Sequence, residues 1–90
     1  MTTKPPSGIE YFSDEEQIKK IYNLTESLND IIPVTNERYR LAYCLDLYLN
    51  GKITDLLDTI DQARPSSSSI EFPELEKIIK QKLTESNLIK

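Results

Sequence analysis

The 90-residue sequence predicts an all-α protein, a compact bundle of four or five helices with a flexible N-terminal arm. Three observations predict this fold. Only two glycines occur, whereas a sheet protein needs frequent turns. Strand-like alternation of apolar and polar residues is scarce. Apolar residues instead recur three or four positions apart, as on one face of an α-helix. Short loops between such segments favour antiparallel neighbours around a single core.

The boundaries of the domain follow from composition. Residues 1–8 hold two prolines and no helical period, so we expect a flexible arm. Residues 9–86 are predicted to form one helical domain, and residues 87–90 a frayed C-terminus. Three apolar residues follow the arm, and we expect them to dock on the bundle: Ile9, Tyr11 and Phe12.

The first helix is predicted to begin at Ser13, which with Glu16 has the spacing of a capping box. Pro33 is expected to end it, because the proline ring clashes with the preceding helical turn. Its core face is predicted from apolar residues at helical spacing, namely Ile18, Ile21, Tyr22 and Leu28.

The second helix is predicted to start with Thr35 as its N-cap and to stop at Asn50-Gly51. Between residues 39 and 49 only Arg40 and Asp46 are charged. A helix that is apolar nearly all round is either central or a binding element.

Two further helices complete the expected bundle. The third has a clear stripe at helical spacing, consisting of Ile53, Leu56, Leu57, Ile60 and Ala63. Residues 64–69 are a loop by composition, and Pro73 suits the first turn of the fourth helix. The inner face of that helix is predicted to comprise Leu75, Ile78, Ile79 and Leu83.

The composition argues against catalysis. The chain has no histidine and one cysteine, so the usual general base, the usual zinc ligand and both common nucleophile pairings are missing. We expect no catalytic residue, cofactor or metal. Cys44 is expected to be a core residue rather than a reactive thiol, since it lies on an apolar helix.

Charge and processing signals bear on partners and location. The net charge of −4 disfavours nucleic acid and anionic membranes, both of which attract clustered basic residues. Asp55, Asp58 and Asp61 would repel DNA from the third helix if it served as a recognition helix. One cysteine cannot form an internal disulfide, and the start of the chain does not resemble a signal peptide. We therefore expect an intracellular protein, cytoplasmic or nuclear.

The second helix carries more apolar surface than one core contact requires. Leu41, Leu45, Tyr48 and Leu49 form one stripe, and a second lies opposite. This second stripe, the tyrosine face, consists of Tyr39, Tyr43 and Leu47. The face predicts a protein-interaction module of the adaptor or scaffold type, which binds an amphipathic helix or peptide in an apolar groove. Asp46 and Asp55 beside the groove would favour a basic partner.

Two alternatives remain open for the tyrosine face. Ile9, Tyr11 and Phe12 could fold across it and make it ordinary core. Two copies of the chain could instead bury it in a homodimer.

Separately, the serine run makes Ser66 and Ser68 candidate phosphorylation sites, because Arg64 precedes them and Ser68 stands three residues before Glu71. The competing interpretation is a solvated linker.

From Asn36 onward the sequence resembles the harmonin-homology domain, a helical module found in scaffold proteins. The shared residues are Glu37-Arg38-Tyr39, Cys44-Leu45 with Tyr48, then Ile53, Leu56, Leu57 and Ile60, and a closing set of Phe72, Leu75, Ile78 and Ile79. The upstream stretch from Ile18 to Tyr22 is similar to the family's first helix. The serine loop before the last helix departs from the family pattern. The resemblance implies a bundle whose groove accepts partner helices or peptides.

Overall fold

A computed structural model of the protein describes residues 15–89, and four α-helices cover most of this range. They are α1 (Glu15–Glu26), α2 (Thr35–Leu49), α3 (Leu56–Ala63) and α4 (Phe72–Glu85). No strand occurs within residues 15–89. The predicted all-α class is therefore confirmed, with four helices. The predicted arm, the docking of Ile9, Tyr11 and Phe12, and the Ser13 cap lie outside the described residues.

The helices close into a ring around one core. Each helix packs against the next along the chain, and α1 also packs against α4. Nine large aliphatic side chains at the centre are completely buried: Ile21, Leu28, Ile32, Leu41, Leu45, Ile60, Leu75, Ile79 and Leu83. Burying each of them stabilises the fold by about 1.5–3 kcal/mol. The predicted core stripes of the helices are thus largely confirmed.

The first helix ends earlier than Pro33, which corrects the predicted boundary. Helix α1 stops at Glu26, and successive turns follow, with the Leu28 amide donating to the Thr25 carbonyl at 3.0 Å. The Ser27 hydroxyl donates to the Leu24 carbonyl at 2.6 Å. Such local side-chain bonds compete with continuation of a helix. Leu28 belongs to the core as predicted, but from a turn.

Helix α2 begins one residue before the predicted position. Val34 is its N-cap and makes no capping bond through its side chain. Thr35 lies inside the first turn, where its hydroxyl oxygen accepts from Arg38 Nη2 at 3.3 Å instead of capping an amide. The predicted stop is confirmed, because Asn50 is the C-cap and Gly51 adopts a φ of 80°, which glycine tolerates without a steric penalty.

Helix α3 begins at Leu56, so Ile53, predicted as the first member of its stripe, is buried from the segment before the helix and not from the helix itself. The Asp55 carboxylate accepts from the Asp58 amide at 3.2 Å and so caps α3. Arg64, in the left-handed region with a φ of 51°, ends that helix. Pro73 lies in the first turn of α4, as predicted.

The end of the described chain contacts the bundle. Leu88 and Ile89 are half-buried and pack against the core. The Leu88 amide donates to the Leu83 carbonyl at 2.9 Å. Fraying of residues 87–90 stays a prediction, and these contacts weigh against it. No helix within residues 15–89 is long and apolar enough to span a membrane.

Candidate partner-binding site

An open cleft of about 490 Å³ lies between the first two helices. Helix α1 contributes Tyr22, Thr25 and Glu26, and the latter two lie three and four residues after Tyr22, which places them on its side of the helix. Helix α2 contributes Arg38 and Tyr39 from its N-terminal half. These five residues define the α1–α2 cleft.

Two tyrosine rings meet in the α1–α2 cleft. The ring centroids of Tyr22 and Tyr39 are 5.9 Å apart, with an interplanar angle of 86°. This edge-to-face arrangement contributes about 0.5–1.5 kcal/mol beyond area burial. Tyr22 is 39% exposed and Tyr39 is 56% exposed. Within residues 15–89 the only other large exposed apolar residue is Val34, which directly precedes α2. The large exposed apolar residues of the described chain thus lie on α1, at the start of α2 or directly before it.

The Arg38 side chain connects the elements that form the cleft. Its side chain is 9% exposed, and the guanidinium donates through Nη1 to the Ile32 carbonyl at 2.8 Å. Its Nη2 lies 3.4 Å from Glu26 Oε1 on α1. One side chain therefore ties the α1–α2 connection to both helices. The Glu26 side chain is 62% exposed, so its carboxylate also faces solvent.

The structure separates the three members of the tyrosine face. Tyr39 is exposed and lines the α1–α2 cleft. Tyr43 is half-buried and packs against the core, and Leu47 is half-buried as well. Whether Ile9, Tyr11 and Phe12 cover this face lies outside the described residues.

Asp46 lies in the interior, which corrects its predicted place beside the groove. Its side chain has 0% exposure, and it accepts from Gln17 Nε2 at 2.8 Å and from Asn50 Nδ2 at 3.2 Å. Burial raises the pKa of Asp46, partly offset by the Gln17 hydrogen bond. A carboxylate enclosed in this way links α1 to α2 and cannot contact a partner.

Asp55 is exposed, as a partner-facing residue should be, but its carboxylate is engaged as the cap of α3. It is not among the residues that line the α1–α2 cleft. The cleft does contain an exposed acidic group that the sequence did not single out, the Glu26 carboxylate.

Sequence reasoning also assigned Tyr22 to the core face of α1, whereas the structure places it in the cleft. Periodicity alone puts Tyr22 next to Ile21, and only the crossing of α2 determines which of the two is covered. Glu26 and Arg38 were missed for the same reason. The position of Arg38 could have indicated its role, since a cation directly before an apolar stretch of helix lies close to the core.

The serine loop is tied to the start of α2. The Glu37 carboxylate accepts from the Ser66 hydroxyl at 2.9 Å, the Ser67 amide at 2.8 Å and the Ser67 hydroxyl at 2.6 Å. The Ser67 hydroxyl and amide lower the pKa of Glu37, against an opposing effect of partial desolvation. Ser68 instead bonds within the loop, donating to the Ile70 carbonyl at 2.7 Å. The loop is thus more ordered than a free linker, while phosphorylation of Ser66 or Ser68 stays a prediction.

Two features of the described side chains bear on metal and thiol chemistry. Within residues 15–89 no group of three histidine, cysteine, aspartate or glutamate side chains is placed to hold a metal ion. Cys44 is buried, and burial raises the pKa of its thiol despite the opposing charge of Arg40. A thiol of this kind forms little thiolate and is a weak nucleophile.

Comparisons with known proteins found no match to this chain among protein-family models, curated proteins or solved structures.

Proposed function

We propose that this protein is a non-catalytic interaction module, of the adaptor or scaffold type, whose α1–α2 cleft binds an amphipathic helix or peptide of a partner protein. The observation that carries the proposal is the pair of exposed tyrosine rings at the mouth of the cleft. Tyrosine is common at binding hot spots, because its ring supplies apolar contact area while its hydroxyl tolerates water.

The geometry supports this proposal in a second way. Arg38 and its hydrogen bonds fix the relative position of α1, α2 and their connection. A site whose walls are already held in place loses less conformational entropy on binding than a mobile one. The tyrosine face of α2 continues away from the cleft through half-buried Tyr43 and Leu47. A partner helix lying along α2 would contact Tyr39 first.

A display selection tests the proposal. Peptides of about 20 residues with helical apolar spacing are selected on the full 90-residue protein, and affinities are measured by fluorescence anisotropy. We expect Tyr39→Ser to weaken a selected peptide by tenfold or more, as for hot-spot truncations of about 2 kcal/mol. Gln81→Ser on α4 is the control, because Gln81 is exposed and away from the cleft. Selected peptides that bind both variants equally well would refute the proposal.

Homodimerisation through the same exposed tyrosines is the second candidate. Light scattering over a concentration series separates the two, since a constant monomer mass excludes the dimer. The resemblance to the harmonin-homology domain is consistent with helix capture and stays part of the proposal.

A further inference from the structure

The α1–α2 cleft combines aromatic faces with an exposed carboxylate, and this combination has a preferred ligand chemistry. The rings of Tyr22 and Tyr39 meet edge to face, and with exposures of 39% and 56% both leave aromatic surface open to a ligand. The electron-rich face of an aromatic ring attracts a cation within about 6 Å of its centroid. The Glu26 carboxylate lines the same cleft.

We infer that the α1–α2 cleft recognises a cationic side chain of the partner, with the guanidinium of an arginine as the best fit, held between the Tyr39 ring and the Glu26 carboxylate. The inference rests on the proposed function and specifies the chemistry of the partner. A guanidinium suits this place because it stacks on an aromatic face and offers planar N–H donors to a carboxylate.

The charge already present in the cleft does not prevent this binding. Arg38 also carries a positive charge, but its side chain is only 9% exposed and its guanidinium donates to the Ile32 carbonyl, the Thr35 hydroxyl and Glu26. Glu26 contacts Arg38 through Oε1 at 3.4 Å. A carboxylate accepts several hydrogen bonds, so Glu26 can bind a second cation from the solvent side. The net charge of −4 adds a weak long-range attraction for a basic partner.

The matched probes are N-acetyl-arginine amide and N-acetyl-citrulline amide, which share a planar shape and differ in charge. Each is titrated into the full chain while ring resonances of Tyr22 and Tyr39 are followed by NMR. We expect the arginine probe to shift both rings saturably and to bind about fivefold more tightly than the citrulline probe, the combined effect of an exposed cation–π contact and an exposed ion pair. Added salt should reduce the difference.

Variants of the cleft sharpen the test. Tyr39→Leu keeps apolar area but removes the π face, and should reduce the preference for arginine over citrulline by about half, whereas Tyr39→Phe should keep most of it. Glu26→Gln should reduce the preference by about half or more. Asp61→Asn is the matched control, since it removes an exposed charge from α3, which does not pack against α1. Retained amide dispersion shows that each variant is folded.

The outcomes separate this inference from the proposed function. Equal binding of the two probes, or an arginine preference that Tyr39→Leu leaves unchanged, overturns the cation site and leaves helix capture intact. The cation site is also overturned, and helix capture retained, if neither probe shifts the ring resonances while selected peptides depend on Tyr39. If no Tyr39-dependent peptide is found, the proposed function fails independently of the probes.

Discussion

Replacing Arg38 with methionine should destabilise the protein, because this nearly buried side chain connects the elements that form the cleft. Methionine preserves the apolar stem but removes the guanidinium, leaving the Ile32 carbonyl without the 2.8 Å bond that it accepts. A hydrogen bond from a charged donor contributes about 1.5–3 kcal/mol. The contact with exposed Glu26 adds about 0.2–1 kcal/mol. Together the loss is about 2–4 kcal/mol, a large part of the roughly 5–10 kcal/mol available to a domain of this size.

Urea unfolding followed by circular dichroism measures this loss. With an m-value of about 1–1.5 kcal/mol/M for a small domain, the midpoint should fall by roughly 2 M. Arg40→Met is the control, because Arg40 is exposed and donates one bond of 3.2 Å to the Ala63 carbonyl. It should cost about 1 kcal/mol or less. If Arg38→Met also costs less than about 1 kcal/mol, water replaces the guanidinium and Arg38 does not hold the cleft together.

Three further predictions concern polar groups that the fold positions. Burial raises the pKa of Asp46, so the folded state takes up a proton at a higher pH than the unfolded state does. As pH falls through the raised pKa, wild type should therefore gain stability relative to Asp46→Asn, and the gain should level off below the ordinary pKa. Urea midpoints of the two proteins measure this gain, and a difference that does not change with pH would contradict the burial. The lowered pKa of Glu37 gives the opposite pH dependence. The stability that Glu37 contributes is present above its ordinary pKa and is lost as pH falls through the lowered pKa. Ser67→Ala should diminish that pH dependence and accelerate amide hydrogen exchange in the serine loop, and unchanged exchange would argue against the Glu37 contact. Asp55→Ala should lower the free energy of unfolding by about 1 kcal/mol, because it removes the N-cap of α3. Asp61→Ala should lower it by less than about 0.5 kcal/mol, and equal losses for the two variants would show that the cap is unimportant.

The sequence predicts those parts of the fold that depend on local rules. The stripe of α3 from Leu56 onward, the stripe of α4, the stop at Gly51 and the first-turn position of Pro73 all follow from periodicity and backbone preference. The end of α1 could not be predicted from Pro33, because the bond from Ser27 to the preceding turn competes with the helix in a way that propensity does not rank.

The candidate site was only partly predictable. Tyr39 was identified because α2 carries more apolar residues than one core face needs, and it is indeed exposed. Asp46 was misplaced because a charged residue on a helix is normally solvated, whereas here Gln17 and Asn50 supply the donors that permit burial. The pairing of Tyr22 with Tyr39 depends on how α1 crosses α2, and a single sequence does not specify this crossing.

The central claim is that a partner binds on the exposed rings of the α1–α2 cleft. Isotope-filtered NMR on a complex with a display-selected peptide tests it most directly, by measuring intermolecular contacts between peptide side chains and the Tyr39 ring. We predict nuclear Overhauser effects from the peptide to the rings of both Tyr39 and Tyr22. Contacts confined to α3 and α4, with both rings unchanged, would contradict the account.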